Sequence, residues 1–223
     1  CLTSNVFPCP MVKLYLPPRG ILSPSNEEDP LDYYYQPIVG RLYVSRINMA
    51  LGLLKRDEYS SILEIGYGSG VLMPTLDKLS DEIYGVDLSC DPDDISGRLA
   101  KLRCYPKLSR GEADKLLFDD NSLDLVIAIS VLEHIKEIQP FLAEIHRVLK
   151  PSGTLLVGMP AVNKTMEYLF RAIGFAGIDA HHVTSPEEMH RAAAPMFSLK
   201  STDRLPNFLP PKIYLYKSFC FEK

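Results

Sequence analysis

Three glycines at alternate positions, Gly66, Gly68 and Gly70, directly follow a short apolar run, Ile62, Leu63 and Ile65, that carries a single acid, Glu64. Residues without a Cβ take positive φ without strain and let the main chain approach a ligand more closely than any other residue type. The pattern predicts a buried parallel strand turning sharply into a helix over 71–79. Such a helix would aim its unsatisfied N–H groups and the positive end of its dipole at whatever lies over the turn. A second strand, 82–86, ends in Asp87. An acid about twenty residues beyond the glycines, at the tip of the neighbouring strand, can accept hydrogen bonds from both hydroxyls of a ribose. Together these residues describe a site for an adenosine. The nicotinamide-dinucleotide fingerprint uses nearly the same device, but its spacing is G-x-G-x-x-G and here it is G-x-G-x-G.

The elements that position this turn follow from periodicity and punctuation. Residues 1–37 hold many prolines (Pro8, Pro10, Pro17, Pro18, Pro24, Pro30 and Pro37) and little periodicity, which predicts an extended N-terminal arm with Tyr33, Tyr34 and Tyr35 at its tip. From Ile38 to Leu54 apolar residues recur every three or four positions, with Arg41, Arg46 and Lys55 elsewhere, as in an amphipathic helix docked on a sheet. Beyond Asp87 a helix over 90–102, opened by Asp91-Pro92-Asp93-Asp94, leads to a brief strand over 106–110. Leu123 to Ile129 is a nearly continuous apolar run, the mark of a central strand covered on both faces. A long helix is predicted over 131–149, with a kink near Pro140, and a fifth strand over 154–158. Helical segments follow at 163–170 and at 186–194, the latter capped by Ser185. Two strands, 197–203 and 213–221, read as an antiparallel pair at one edge. Strands alternating with helices and a final hairpin give a doubly wound α/β sheet. The predicted organisation is the arm over 1–37 and one domain over 38–223, with a helix at 38–56, a ligand-binding core at 60–160 and a substrate-side segment with the terminal hairpin at 161–223.

Composition narrows the function classes. The 223 residues are 46% hydrophobic and 23% charged, ordinary for a globular protein. No apolar run approaches the roughly 20 residues that cross a bilayer, so stable membrane insertion is not expected. A net charge of −4 argues against a general nucleic-acid binder. The five cysteines are scattered, with neither CxxC nor a zinc-spaced Cys/His cluster, which predicts no metal site and a reducing, cytoplasmic setting. The first ten residues make a poor signal peptide.

Five ordered stretches resemble a known family. They are Ile-Leu-Glu-Ile-Gly-Tyr-Gly-Ser-Gly (62–70), Tyr-Gly-Val-Asp-Leu-Ser (84–89), Gly-Glu-Ala-Asp-Lys-Leu-Leu-Phe (111–118), Leu-Asp-Leu-Val-Ile-Ala-Ile-Ser-Val-Leu-Glu-His (123–134) and Arg-Val-Leu-Lys-Pro-Ser-Gly-Thr-Leu-Leu (147–156). Their order and spacing are similar to those of the class I S-adenosyl-L-methionine-dependent methyltransferases, in the large small-molecule (type 11-like) branch, over about 60–160. The resemblance implies a Rossmann-like seven-stranded sheet with the last strand antiparallel, and S-adenosyl-L-methionine across the tips of the first strands. It implies that Glu64 and the main chain of Gly66, Tyr67, Gly68 and Gly70 face the methionine end. Asp87 would hold the ribose hydroxyls with Leu88 beside the adenine. Glu112 would accept from the adenine amino group, the Ala113 N–H would reach a ring nitrogen, and Ser130 would contact the methionyl part. Aspartate is commoner in the family where Glu112 stands, and proline where Leu117 stands.

A methyl group on a sulfonium is already activated, so transfer mainly needs the acceptor held about 3 Å away, in line. A hydroxyl acceptor also needs a base; Glu133, His134, His181 and His182 are candidates, and His182, in the loop near substrate entry, is the catalytic residue the sequence favours. Tyr33 to Tyr35 and Tyr43 offer ring faces for a sulfonium or walls for a substrate. The chain leaves the fourth strand as Ser130-Val131-Leu132-Glu133, not as the Asn/Asp-Pro-Pro-aromatic sequence that resembling enzymes use on exocyclic amines, which points to a small organic acceptor. The competing readings are a non-catalytic cofactor-binding subunit and a nicotinamide-dependent dehydrogenase.

Overall fold

The computed structural model describes residues 12–27, 29–161, 183–211 and 213–223. Seven strands form one sheet in the order β3-β2-β1-β4-β5-β7-β6: β1 (Ile62–Ile65), β2 (Ile83–Asp87), β3 (Lys107–Arg110), β4 (Leu123–Ile129), β5 (Leu149–Pro160), β6 (Ser198–Leu205) and β7 (Tyr216–Glu222). The pairs β1–β2, β1–β4, β2–β3 and β4–β5 are parallel, whereas β7 runs antiparallel to both β5 and β6. This is the seven-stranded sheet with a reversed last strand that the resemblance implies, and its crossover order reverses between β1 and β4. In open α/β sheets that reversal leaves a crevice at the carboxyl ends of the strands.

Alternation along the central strands sorts the core into two layers. Ile62, Leu125, Ile127 and Leu156 face α2 (Val39–Leu51), α3 (Met73–Leu76) and α4 (Pro92–Leu99), against Ile47, Leu51, Met73, Leu76, Ile95 and Leu99. Leu63, Ile65, Val126, Ala128, Leu155 and Val157 face α5 (Ile138–Val148) and α6 (Pro186–Ala193), against Phe141, Leu142, Ile145 and Met189. Pro186–Ala193 is closed at its start by a reciprocal capping box between Ser185 and Glu188.

Several element boundaries differ from expectation, each for a local reason. The docked helix is shorter, ending at Leu51 with Gly52 as its cap, and Ile38 is 83% exposed ahead of it. The helix after the glycine turn is one turn, Met73–Leu76, with Pro74 in its first positions. No extended dipole therefore stands behind the glycines. The predicted long helix over 131–149 is two pieces. Ser130 takes φ +57°, Leu132–His134 forms a 3-10 turn, Ile135 is extended (ψ 116°) and Glu137 is non-helical (ψ 82°) before α5 starts. Pro140 then lies in the first turn of α5, where its missing N–H has no intrahelical acceptor to lose. Glu133 and His134 accordingly do not open the long helix. The helix expected at 163–170 and both His181 and His182 lie outside the described residues.

Residues ahead of α2 pack on the core. Leu22, Leu31 and Tyr34 are buried, α1 (Leu31–Tyr34) lies against α2, and the amides of Leu14 and Tyr15 donate to Asn48 Oδ1 (2.7 Å) and Thr75 Oγ1 (2.9 Å).

Candidate active site

A cleft of about 730 Å³ opens at the carboxyl ends of β1, β2 and β4. Glu64, Gly66, Tyr67, Gly68, Asp87, Leu88, Glu112, Ala113 and Ser130 all line it. Gly70 does not: its Cα faces Ile95 and Leu99 of α4, either of which would lie 3.1 Å from an added Cβ.

The glycine turn is built for close approach. Gly66 and Gly68 have φ of +71° and +51°, in the left-handed region that L side chains rarely adopt. A Cβ on Gly66 would meet Val131 Cγ2 at 2.4 Å, and one on Gly68 would lie 3.3 Å from Asp29 Oδ2. The second contact comes from the residues before α1: Asp29 Oδ2 accepts from the Ser25 amide (3.0 Å) and hydroxyl (2.7 Å), and Ser25, Asn26, Asp29 and Pro30 form one wall of the cleft.

Asp87, 9% exposed at the tip of β2, accepts from the amides of Gly68 (3.0 Å), Ser89 (2.9 Å) and Cys90 (3.2 Å). An ionised carboxylate offers about four lone-pair sites; the three amides fill three of them, and the Cys90 side chain also hydrogen-bonds Asp87. Leu88 is 63% exposed beside it, its carbonyl accepting from Arg110 Nε at 2.9 Å. Glu112 is exposed at the rim, 3.7 Å from Lys115.

Glu64 is the anomalous acid. It sits in β1 between Gly85 and Ile127, 5% exposed, and its Oε2 is shut from solvent without a hydrogen-bond partner. Burial, reinforced by the Asp87 carboxylate, pushes its carboxyl well above the usual range. An orphaned acceptor on a cleft wall is a place for a donor or a cation. Glu133 is 1% exposed; burial raises its carboxyl to about 8, partly offset by its own backbone hydrogen bond and by Arg46. Its carbonyl accepts from the Val183 and Thr184 amides at 2.7 and 3.3 Å, which ties the 3-10 turn to the segment entering α6. His134 is exposed on the cleft wall.

At the β4 end the cleft is closed by Arg46 and Tyr216, to which the sequence gives no role, together with Tyr34 and Tyr43. Arg46, which the spacing leaves off the apolar positions of its helix, turns inward from α2 and lines the cleft. Its guanidinium carbon lies 4.0 Å from the Tyr43 ring centroid, 5.4 Å from that of Tyr216 and 5.8 Å from that of Tyr34. The tyrosines around it thus enclose a protein cation. The spacing of Tyr43, Arg46, Ile47 and Ala50 on one helical face was the available signal.

Residues 63–157 match the methyltransferase domain family. A ubiquinone biosynthesis O-methyltransferase of Chelativorans sp. is 28% identical over 149 residues, 60% of this chain and 56% of the relative. A demethylmenaquinone methyltransferase of Tropheryma whipplei is 31% identical over 102 residues, 43% of this chain and 40% of the relative. The chain spans about half the length of the curated relatives it matches. Among solved structures, geranyl diphosphate C-methyltransferase of Streptomyces coelicolor superposes with a TM-score of 0.67 over 95% of this chain and 86% of that one, at 14% identity. An S-adenosylmethionine-dependent methyltransferase of Thermotoga maritima does so with a TM-score of 0.62 over 81% and 89%, at 21% identity.

Proposed function

We propose that the chain is a class I S-adenosyl-L-methionine-dependent methyltransferase, as the match of residues 63–157 to the methyltransferase domain family supports, and that it transfers the methyl group to a small organic acceptor bound in the cleft at the carboxyl ends of β1, β2 and β4. The observation that carries this reading is that one cleft joins a ribose-type acid, Asp87, to an orphaned buried carboxyl, Glu64, across a left-handed glycine turn. That arrangement fits the cofactor. Glu64 Oε2 supplies the acceptor a methionyl ammonium requires, Asp87 offers its carboxylate to a ribose hydroxyl in place of the Cys90 thiol, and the bare turn admits the chain between them. Leu88 offers an apolar face to the adenine, with Glu112 and Ala113 at its edge. Ser130 stands at the methionyl end.

When bound, the cofactor supplies a sulfonium methyl open to in-line displacement. The protein's part is orientation and shielding, since an acceptor fixed near the reacting carbon gains more than any single polarising contact can add. Val131, Ile135 and Phe141 extend the cleft beyond the glycine turn as an apolar wall for the acceptor. An acceptor that attacks through oxygen also needs a base; His134 is the imidazole on the described wall, and His182 lies outside the described residues. The names of the curated relatives, O- and other methyltransferases of quinone biosynthesis, support a small organic acceptor.

Calorimetric titration with S-adenosylmethionine and with NAD tests the cofactor, and a screen of small acceptors with labelled methyl tests turnover. Cofactor binding without methyl transfer to any acceptor would favour the alternative of a non-catalytic partner subunit. A preference for NAD would overturn the reading.

A further inference from the structure

The β3 end of the sheet is open in two directions. At its edge, the Gly111 amide donates to the Asp87 carbonyl at 2.9 Å, so by strand alternation the N–H and C=O groups of Leu108 and Arg110 point away from β2. Among the described residues nothing pairs with them. On its face, the crossover from β3 to β4 carries no helix among the described residues, whereas α3, α4 and α5 serve the crossovers from β1 to β2, from β2 to β3 and from β4 to β5. Tyr84 and Phe118, with ring centroids 5.0 Å apart, are therefore only half-buried on the α5 side. Tyr105, just ahead of β3, is 73% exposed, and Leu117, next to Phe118, is 98% exposed.

The same end is basic. Residues 98–110 carry Arg98, Lys101, Arg103, Lys107 and Arg110 and no acid, in a chain whose net charge is −4. Arg98 is paired with Asp94 and Lys107 with Glu82, but no described carboxylate lies within ion-pair distance of Lys101, Arg103 or Arg110, all three exposed. Basic side chains on an edge strand repel a second copy of that edge. By charge complementarity they attract an acidic one. The opposite edge is built differently: β6 is bulged between Leu199 and Ser201, and its Lys200 is neutralised by Glu222 at 2.7 Å. Main-chain donors and acceptors alternating along β3 favour an extended polypeptide over a phosphodiester chain, because a strand satisfies both in register.

We propose that β3 is a docking edge for an extended acidic segment of another protein, which joins the sheet as a strand outside β3 with its carboxylates meeting Arg103, Lys107 and Arg110. Its alternate apolar side chains extend the open face of Tyr84 and Phe118. Main-chain pairing supplies the attachment, and the basic row selects the partner. The surface lies outside the cleft, so the inference goes beyond the methyltransferase reading and stands apart from it.

The test follows the backbone amides of the full, isotope-labelled chain by nuclear magnetic resonance. The probe is a short capped peptide of alternating glutamate and valine. Its companions are the same peptide with lysine for glutamate, the acidic peptide N-methylated throughout, and oligothymidylate. The acidic peptide is expected to shift the Leu108 and Arg110 amides along a saturable curve and to slow their hydrogen exchange. The N-methylated peptide keeps every charge but has no main-chain donor, and should bind about ten-fold more weakly. The lysine peptide should leave β3 unmoved. Combining Arg103→Glu with Lys107→Glu should turn the preference to the lysine peptide; if that variant fails to fold, the comparison of plain and N-methylated acidic peptides on wild type still decides. Absence of a saturable shift at β3 with the acidic peptide overturns the proposal. Equal binding of the plain and N-methylated peptides overturns it by reducing the surface to an ionic patch. Preferential binding of oligothymidylate overturns it in favour of a nucleic-acid surface, and self-association of the wild type with protection of Leu108 and Arg110 overturns it in favour of a second copy.

Discussion

Asp87 Oδ2 accepts the amide of Gly68 at 3.0 Å, so the carboxylate proposed to hold the ribose also fastens the middle of the glycine turn. Two functions therefore meet on one side chain. Asp87→Ala is expected to weaken S-adenosylhomocysteine binding by about 1–3 kcal/mol, the range for a hydrogen bond to a charged group, and to lower the melting temperature as the Gly68, Ser89 and Cys90 amides lose their acceptor. Asp87→Asn keeps one carbonyl oxygen and should recover more of the stability than of the affinity. Calorimetry and thermal melts of the two variants check this; unchanged affinity in Asp87→Ala would take Asp87 out of the site.

Gly66→Ala combines two separable penalties. Its φ of +71° costs an L residue roughly 1–2 kcal/mol, and its new methyl would lie 2.4 Å from Val131 Cγ2, an overpacking worth roughly 1–3 kcal/mol. Adding Val131→Ala should restore the packing part and leave the backbone part. Urea midpoints of the single and double variants measure the split, and full recovery in the double variant would show that backbone conformation is not the constraint.

Glu133 makes stability depend on pH with a defined sign. Its carboxyl titrates near 8 in the folded chain, well above the usual glutamate value, so between those two points the unfolded chain has released a proton that the folded chain still holds. Stability from this group therefore falls as pH rises through that window, by at most about 1.4 kcal/mol per unit, and is level above it. Glu133→Gln should flatten the profile between pH 5 and pH 8. Denaturation curves at both pH values decide; an identical slope in the variant would mean that Glu133 is ionised throughout.

Glu64 should couple cofactor binding to proton release. Its carboxyl is held well above the usual range in the free protein, by burial first and by the Asp87 carboxylate second. An ammonium placed against it favours the ionised form, so binding expels a proton and affinity weakens as pH falls. Calorimetry in buffers of different ionisation enthalpy should register that release, and Glu64→Gln should abolish it while weakening binding. Release undiminished in the variant would assign the proton elsewhere.

What could be read in the sequence was whatever a period of two or a run of glycines encodes. Leu123 to Ile129 was legible to the residue because a strand covered on both faces is apolar throughout; the pairing of the last two strands was legible as a hairpin, whereas the reversal of the last strand within the sheet came only with the family resemblance. The break between Leu132–His134 and Ile138–Val148 was not. Val131, Leu132, Ile135 and Ile138 keep helical spacing across it, and the left-handed φ of Ser130 that turns the chain leaves no mark in composition. Arg46 was missed because a charge on an amphipathic helix ordinarily faces water, and only the tertiary meeting of α1, α2 and β7 builds the aromatic surround that draws it inward. Prolines before α1 likewise conceal the packing of Leu22, Leu31 and Tyr34.

Tyr216, on β7, touches Arg46 of α2 from far along the chain, so the wall of the cleft above β4 is complete only when β7 lies between β5 and β6. A substitution that loosens β7 should therefore reach this chamber through that ring without altering any residue of the glycine turn.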